Sequence, residues 1–406
     1  MSHDQRPSSP PASVRLTGWG MYVPERVLTN HDLEGLVETN DEWITSRTGI
    51  RERRVAGPTE TTATLAAVAG KRALAVAGLD PAELDLILVA TCTPDYAMPA
   101  TAVFVKEALG ARRAAAMDLA AVCSGFVYAF STAHAYIASG LYRHVLVIGA
   151  EVLTRLLDYR DRNTCVLFGD GAGAVLLSAS DEPGGGLLGF ELTAEPAGAY
   201  NIWAPVGGTA IPPTLEGLER RGRFIRMKGQ ETYRYATRTM ANTVELALEG
   251  AGLHPDQVTL FVPHQANVRI IDAVGRQLGI GLERVYINVD RYGNTSSASV
   301  PIALAEAVDA GRVQPGDVVV FVAFGSGYTS GACVVGWTAD PALGRRAASV
   351  PPAVHIEPPA EYPLGDPTPI ELQPIFARKE AAASGGPLAD DPPGLERARP
   401  HAEVPA

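Results

Sequence analysis

Cysteine is scarce in this sequence, and the few cysteines stand far apart. Only Cys92, Cys123, Cys165 and Cys333 occur in 406 residues, and no Cys-x-x-Cys pair is present. This spacing argues against a zinc-binding motif and against a disulfide framework. It favours a reducing compartment. We therefore predict no metal site and a cytoplasmic location.

Long apolar runs and long basic runs are missing as well. No apolar stretch reaches the length of a membrane span, and the polar start of the chain lacks the apolar centre of a signal peptide. The formal net charge of −11 argues against general nucleic-acid binding. We predict that neither a membrane nor a nucleic acid is a partner.

What remains is a globular composition, 46% hydrophobic, in which helical and strand patterns alternate. Alanine and leucine at helical spacing predict a helix over residues 61–78 that ends at Gly78. Continuous apolar runs at 84–91, 145–149 and 318–322 have the length of buried strands. This alternation predicts an α/β fold with mainly parallel strand pairing.

A weak internal repeat suggests a duplicated βαβ layout. Ala77-Gly78-Leu79-Asp80-Pro81 before one apolar run is echoed by Ala251-Gly252-Leu253-His254-Pro255 before another. Glycine clusters at 168–173 and 324–328 precede the last strand of each half. We predict a disordered leader at 1–12, halves at 13–180 and 220–338, and a connection or insertion at 181–219.

The end of the chain has a different composition. Residues 341–406 contain 14 of the 31 prolines, together with many alanines. We predict that the Pro/Ala-rich tail, residues 339–406, is mostly disordered or lies along the surface. A local strand is expected only around residues 369–376.

Cys123 stands in a small-residue turn between a strand pattern at 114–119 and a helix pattern. Unpaired N–H groups and the positive dipole end at the start of a helix favour the thiolate, which is the nucleophilic form of cysteine. Ser124 and Gly125 are small enough to let a substrate approach the sulfur. The alternative interpretation is a buried, inert cysteine.

Two later segments supply chemistry that a lone cysteine does not have. His264 directly follows a buried strand pattern, and Asn294 lies in a loop before a helix. The alternative interpretation of Asn294 is a helix cap. A thiolate can take up an acyl group as a thioester, and imidazole and amide donors can hold the oxygen of an enolate. This set favours carbon–carbon bond formation with loss of carbon dioxide from a malonyl thioester. Papain-like proteases also use Cys, His and Asn, but the order of elements here does not suggest them.

Several long motifs, in order, closely resemble the β-ketoacyl-acyl-carrier-protein synthase III family over residues 14–337. The resemblance implies a homodimer with a thiolase-like αβαβα layered fold. It implies that Cys123 is the nucleophile, that His264 and Asn294 form the decarboxylation pair, and that the backbone N–H groups of Cys123 and Ser326 form an oxyanion hole. The matching stretches are Asp41-Glu42-Trp43-Ile44, residues 47–53, the Cys123 turn, residues 168–174, His264-Gln265-Ala266-Asn267, residues 293–301 and Ala323-Phe324-Gly325.

The resemblance also implies two binding surfaces. Residues implied to bind coenzyme A are Trp43, Arg47, Thr48, Arg162 and Asn267. Residues implied to dock the acyl carrier protein are Gln265, Ala266, Asn267, Arg269 and Arg234. An aromatic ring beside arginines suits a flat base and phosphates, although the segment 43–54 also fits a solvated basic surface.

The chain departs from the family pattern at two places. Gly325-Ser326-Gly327 replaces the usual three glycines, which keeps a backbone N–H but adds a side chain that tightens the loop. Met98 stands where some members place a phenylalanine that closes the acyl pocket of the partner subunit, and Phe168 and Phe324 complete the implied pocket. Because methionine is flexible, we expect tolerance for starters that are longer or more branched than acetyl.

The function favoured by these observations is condensation of an acyl-CoA starter with malonyl-acyl carrier protein to give a 3-oxoacyl-acyl carrier protein. It would initiate fatty-acid or polyketide synthesis and needs no cofactor beyond the coenzyme A thioester substrate. The alternative is an acyltransferase that moves the acyl group to an alcohol or amine, for which His264 and Asn294 would be unnecessary. A degradative thiolase needs a second catalytic cysteine. Cys333 is the nearby candidate, but it lies inside the apolar last strand and is expected to belong to the core. A non-catalytic partner subunit would be expected to lack Cys123.

Overall fold

The structure is a computed structural model that describes residues 13–356, 358 and 365–384. The strands are β1 Ser13–Tyr22, β2 Val27–Thr29, β3 Glu52–Arg54, β4 Leu86–Ala90, β5 Ala115–Leu119, β6 His144–Glu151, β7 Gly171–Ser180, β8 Gly186–Ala194, β9 Ile202–Trp203, β10 Arg226–Met227, β11 Leu260–Pro263, β12 Val318–Gly325 and β13 Thr329–Gly336. The α-helices are α1 Asn30–Glu34, α2 Asp41–Thr48, α3 Thr62–Ala77, α4 Thr101–Leu109, α5 Gly125–Ala138, α6 Leu215–Glu219, α7 Gly229–Ala251, α8 Val268–Leu278, α9 Val289–Tyr292, α10 Ser299–Asp309 and α11 Gln373–Ser384. The predicted leader at 1–12 lies outside the described residues.

Two mixed sheets carry the same strand pattern. The first sheet has the order β1-β7-β6-β4-β5, and the second has the order β11-β12-β13-β8. In each sheet a parallel pair, β4 with β6 or β11 with β12, is followed by two antiparallel pairings. The duplication suggested by the sequence is therefore visible in the sheets.

The sheets alternate with helices in five layers. Helices α5 and α10 lie between the sheets, α3 and α4 cover the outer face of the first sheet, and α7 and α8 cover that of the second. Alternate residues of a strand face opposite layers, so Leu88 packs in the central layer while Ile87 packs outside. Because both faces are buried, the strands read as continuous apolar runs. The predicted αβαβα arrangement is confirmed.

The boundary between the halves differs from the predicted segments. Strand β8, at Gly186–Ala194, lies inside the segment 181–219 that was expected to be a connection, yet it pairs with β13. The second sheet thus takes its edge strand from ahead of residue 220. The rest of the segment includes α6 and β9, and β9 lines the cavity described below.

The tail contains a helix where a strand was expected. Helix α11 covers residues 373–384, and Leu372, Ile375 and Phe376 are buried against the cluster that includes Leu28 and Tyr159. The prediction of a strand around 369–376 is therefore wrong. Apolar residues at i, i+3 and i+4 followed by alanines are a helical signal. The tail residues 359–364 and 385–406 lie outside the described residues.

Candidate active site

A cavity of about 840 Å³ brings the predicted catalytic residues together. Cys123 comes from the turn before α5, His264 from the end of β11, and Asn294 from the loop after α9. All three are largely buried, with 8%, 2% and 7% of their surface exposed. Three segments that are far apart in sequence therefore meet at one enclosed surface.

The turn that carries Cys123 has a demanding backbone. Val122 has φ +47°, which is a rare conformation for a β-branched residue. The turn leads through a short 3₁₀ segment into α5, so the thiol lies at the amino end of that helix. The strained residue directly before the nucleophile fixes the direction of its side chain.

The electrostatics at Cys123 do not match the expected thiolate. Burial raises the pKa of the Cys123 thiol to about 12, and the nearby Glu151 carboxylate acts in the same direction. Hydrogen bonds from Ser296 and from the backbone N–H of Cys123 favour the thiolate but are outweighed. The resting nucleophile is thus a protonated thiol.

Cys123 and the loop after β12 are in close contact. A Cβ atom built on Gly325 would lie 2.8 Å from the backbone nitrogen of Cys123, so only glycine fits there. The next residue, Ser326, lines the cavity, and Gly327 has φ +137°. The two peptide segments expected to form the oxyanion hole therefore lie side by side.

His264 is a neutral imidazole whose proton can be placed from its contacts. Burial lowers the pKa of His264 to about 3. Its Nδ1 lies 2.6 Å from the hydroxyl of Ser299, which also accepts a hydrogen bond from the backbone N–H of Gln265 at 3.3 Å. If Ser299 gives its own proton to Nδ1, the ring proton resides on Nε2. This tautomer gives His264 an N–H donor for a substrate.

Asn294 is oriented by the residues around it. Its Oδ1 accepts a hydrogen bond from the backbone N–H of Ser296 at 2.8 Å, so the amide nitrogen Nδ2 is the end left for a substrate. The Asn294 backbone bonds to Leu167 and Gly169, which fixes it beside Phe168. The arrangement presents a second neutral donor near His264 and Cys123.

Two of the three residues predicted for the acyl pocket line this cavity. Phe168 and Phe324 do so, and both are about 5% exposed. Phe324 packs on Tyr328 with ring centroids 4.7 Å apart. Met98 is not part of the lining and is 82% exposed. A role for Met98 in an acyl pocket thus depends on a second subunit.

Comparison with known proteins shows the family of the chain. The family models for 3-oxoacyl-[acyl-carrier-protein] synthase III match residues 117–196, and its C-terminal part matches 248–337. A β-ketoacyl-[acyl-carrier-protein] synthase III of Roseiflexus sp. is 54% identical over 80% of this chain and 98% of its own. The chain belongs to the β-ketoacyl-acyl-carrier-protein synthase III family.

Solved structures of relatives have the same thiolase-like fold. The 3-oxoacyl-[acyl-carrier-protein] synthase III of Aquifex aeolicus matches with a TM-score of 0.74 and 45% identity, covering 80% of this chain and all of its own. The priming β-ketosynthase of a polyketide biosynthetic pathway matches with a TM-score of 0.76 and 36% identity, covering 82% of this chain and 99% of its own. About a fifth of this synthase III chain lies outside each match.

The predicted coenzyme A residues lie at the exposed end of the cavity. The guanidinium groups of Arg47 and Arg162 lie 4.7 and 5.0 Å from the centre of the Trp43 ring. A base that is to stack between Trp43 and Arg162 must therefore displace the arginine. Thr48 lines the cavity, but its hydroxyl donates to the carbonyl of Ile44. Its side chain thus ends a helix turn and is not free for a ligand.

Asn267 has structural contacts as well as a place in the cavity wall. Its side chain accepts from the backbone N–H of Arg269 and donates to the carbonyl of Arg47, which joins the start of α8 to α2. Asn267 is therefore the N-cap of α8. The contact also holds the helix that carries Trp43.

One predicted docking residue is inaccessible. Gln265 is 1% exposed, donates to the carbonyls of Pro263 and Tyr286, and accepts from the backbone N–H of Asn288. The polar atoms of the Gln265 side chain therefore tie β11 to the following loop and are not exposed to a carrier protein. Ala266, Arg269 and Arg234 do line the cavity, and both arginines are exposed.

The sequence interpretation overlooked several residues of the site. Cys92 lines the cavity, and its thiol donates to the buried carboxylate of Glu151 at 3.3 Å. Glu151 also accepts from Ser297, which fixes the loop after Asn294. The position of Cys92 just after a buried strand could have indicated this. Cys333 is fully buried, in agreement with its assignment to the core.

Proposed function

We propose that this synthase III condenses an acyl-CoA starter with malonyl-acyl carrier protein and releases carbon dioxide and a 3-oxoacyl-acyl carrier protein. The reaction initiates fatty-acid or polyketide chains. The observation that carries the proposal is the meeting of one thiol, Cys123, with two neutral donors, His264 and Asn294, in one buried cavity. The relatives are named for the same synthase activity.

The first step is transfer of the acyl group to Cys123. The sulfur attacks the thioester carbonyl carbon. The carbonyl oxygen accepts hydrogen bonds from the backbone N–H groups of Cys123 and Ser326. The bond to the coenzyme A sulfur breaks, and the thiol proton of Cys123 ends on that sulfur. No net proton is released, so a thiol with a raised pKa is compatible with the overall exchange.

The second step is condensation. Loss of carbon dioxide from the malonyl thioester leaves an enolate, whose oxygen receives hydrogen bonds from His264 Nε2 and Asn294 Nδ2. The enolate carbon attacks the acyl carbonyl on Cys123, and the carbon–sulfur bond breaks. The sulfur leaves as a thiolate and is protonated to restore the resting thiol. The donors act only where charge develops, which is the requirement for lowering a barrier.

The rim of the cavity suits the two anionic substrates. Arg47, Arg162, Arg234 and Arg269 are exposed and lie on the lining, although the whole chain has a net charge of −11. Coenzyme A phosphates would bind near Trp43, Arg47 and Arg162. An acidic carrier protein would dock near Arg234 and Arg269.

A homodimer is supported by one edge of the first sheet. Strand β5 is the last strand of that sheet, and Met117 on it is 37% exposed. Tyr96, Met98 and Val103 are also exposed. Edge strands with exposed apolar side chains are usually covered. Pairing of two β5 strands would bring Met98 towards the partner subunit.

Location and cofactor use stay predictions. All four cysteines are free, which suits the cytoplasm. In the part of the chain that the structure describes, no helix is long and apolar enough to cross a membrane. The same residues hold no group of three or more His, Cys, Asp or Glu side chains that could bind a metal. We propose a cytoplasmic enzyme that uses only its thioester substrates.

The test follows both steps by intact-protein mass spectrometry. An acyl adduct should form on incubation with acyl-CoA and disappear when malonyl-acyl carrier protein is added, as the 3-oxoacyl product appears. Cys123→Ala should abolish the adduct, whereas Asn294→Ala should form it and fail to discharge it. Equal loss of both steps in Asn294→Ala would contradict the assigned role. Discharge by an alcohol or amine, and not by malonyl carrier protein, would favour the acyltransferase.

A further inference from the structure

The oxyanion loop carries one hydroxyl group that the reaction itself does not require. The backbone N–H of Ser326 is the proposed donor to the thioester oxygen, and any residue could supply it. The side chain of Ser326 does something else, because its Oγ donates a hydrogen bond to the backbone carbonyl of Ile202. Ile202 lies on β9, and both Ile202 and Trp203 line the cavity. One residue therefore joins the oxyanion loop to the cavity wall.

The other side of Ser326 is joined to the nucleophile turn. Its carbonyl oxygen accepts from the hydroxyl of Thr329 at 3.2 Å, and that hydroxyl lies 2.7 Å from the hydroxyl of Ser124. The Thr329 hydroxyl is also 3.0 Å from the carbonyl of Ala121. A continuous polar path thus runs from the residue after Cys123, through the oxyanion loop, to β9.

The loop needs such anchors because its glycines restrict it little. Gly325 and Gly327 flank Ser326, and glycine allows more backbone conformations than any other residue. Tyr328, at the far end, is held firmly by backbone hydrogen bonds with Glu195 in both directions. Between this clamp and the end of β12, Ser326 is held by two contacts, its carbonyl on the Thr329 hydroxyl and its own hydroxyl on the Ile202 carbonyl. The second contact is the one that fixes the loop against β9.

We propose that Ser326 is a positioning residue, whose hydroxyl holds the oxyanion loop against β9 so that its backbone N–H stays aimed at the thioester oxygen. The proposal rests on the function proposed above. The hydroxyl does not touch the reacting atoms, and it acts through the geometry of the loop. It also ties the oxyanion hole to the wall formed by Ile202 and Trp203, so that binding along this wall and alignment of the donor are coupled.

The test compares Ser326→Ala with the wild type in single-turnover acylation by acetyl-CoA, followed by mass spectrometry. Loss of an oxyanion donor costs about a hundredfold to a thousandfold, and a donor that is kept but poorly aimed should cost about tenfold. We expect the maximal acylation rate to fall by about tenfold with a half-saturating acetyl-CoA concentration close to that of the wild type. Ser326→Thr keeps the hydroxyl and should recover most of the rate.

Ser330→Ala is the matched control. The hydroxyl of Ser330 also donates to a backbone carbonyl, that of Ala323, in the same hairpin, but not in the oxyanion loop. It should change the melting temperature as much as Ser326→Ala does and leave the acylation rate near that of the wild type. The proposal is overturned if Ser326→Ala acylates at the wild-type rate, if only its half-saturating concentration rises, or if Ser330→Ala is slowed equally. Each of these results leaves the proposed function intact, because the wild type still acylates and condenses.

Discussion

Replacing Ser299 by alanine should separate the two half-reactions of this synthase. Ser299 is 1% exposed, and its hydroxyl is 2.6 Å from Nδ1 of His264. Without the hydroxyl, nothing biases the imidazole proton towards Nε2, and the backbone N–H of Gln265 loses its acceptor. In the proposed mechanism, acylation of Cys123 uses the oxyanion loop and not this N–H donor. We therefore expect Ser299→Ala to acylate almost normally and to condense slowly.

The size of the effect follows from the hydrogen bonds involved. One neutral hydrogen bond contributes about 0.5–1.5 kcal/mol, which corresponds to a tautomer bias of about twofold to twelvefold. Complete loss of an oxyanion donor sets an upper limit of about a thousandfold. A tautomer bias of this size keeps about 70–90% of the imidazole in the Nε2–H form, so its loss alone slows condensation by only about twofold. Because the imidazole also loses its anchor at Nδ1, its N–H is poorly aimed, and we expect a total slowing of condensation by about tenfold and of acylation by less than about threefold. Because the pKa of His264 is lowered to about 3, the imidazole is already neutral at pH 5. Its titration should therefore not alter condensation between pH 5 and pH 9.

The assay uses enzyme that has been acylated beforehand and freed of acyl-CoA. Malonyl-acyl carrier protein is then added, and the loss of the acyl adduct is followed with time. Ser299→Thr keeps the hydroxyl and should condense close to the wild-type rate. This control separates loss of the hydroxyl from the effect of any substitution at residue 299. Equal slowing of both half-reactions in Ser299→Ala, or condensation within twofold of the wild type, would refute the role of Ser299 in positioning the His264 donor.

Three further expectations concern the thiol, the tail and the acyl pocket. Burial raises the pKa of Cys123 to about 12, so the rate of its alkylation by iodoacetamide should rise about tenfold per pH unit from pH 6 to pH 10. A plateau of this rate below pH 9 would contradict the expectation. Phe376 is 3% exposed, so Phe376→Ala should weaken docking of α11 by about 3 kcal/mol and speed amide hydrogen exchange in this helix. Ile370 is 75% exposed, so Ile370→Ala should leave the hydrogen exchange of α11 unchanged. Met98→Phe should lower the preference for branched over acetyl starters by about tenfold if Met98 closes the partner's pocket, and an unchanged preference would remove Met98 from that role.

The fold was predictable where burial dictates the sequence pattern. Strands β4, β6 and β12 are covered on both faces, so they appear as continuous apolar runs. Strand β8 was missed because it is an edge strand whose Phe190 and Leu188 are exposed, which breaks the pattern. Helix α11 was missed because the proline-rich composition around it suggested disorder. Its burial depends on Leu28 and Tyr159, which lie far away in the sequence.

The meeting of Cys123, His264 and Asn294 in one cavity was predictable because each follows a strand or opens a helix in a recognisable motif. Their protonation was not predictable, since it depends on packing. The amino end of α5 suggested a thiolate at Cys123, whereas burial and the nearby Glu151 raise the pKa of the thiol. Gln265 belongs to a motif beside the docking surface, yet its side chain turns inward to satisfy three backbone groups. A motif gives the place of a residue in the chain and leaves its orientation to tertiary contacts.

The distribution of charge in the cavity follows the needs of the reaction. Arginines line the exposed end, whereas the buried end presents a protonated thiol, a neutral imidazole and an amide. A cation at the buried end would bind the malonyl carboxylate and stabilise the substrate before carbon dioxide leaves. Neutral donors bind the enolate oxygen as its charge appears, so their stabilisation is greater in the transition state than in the substrate. Keeping the positive charges at the rim therefore attracts the phosphates of both substrates without slowing decarboxylation.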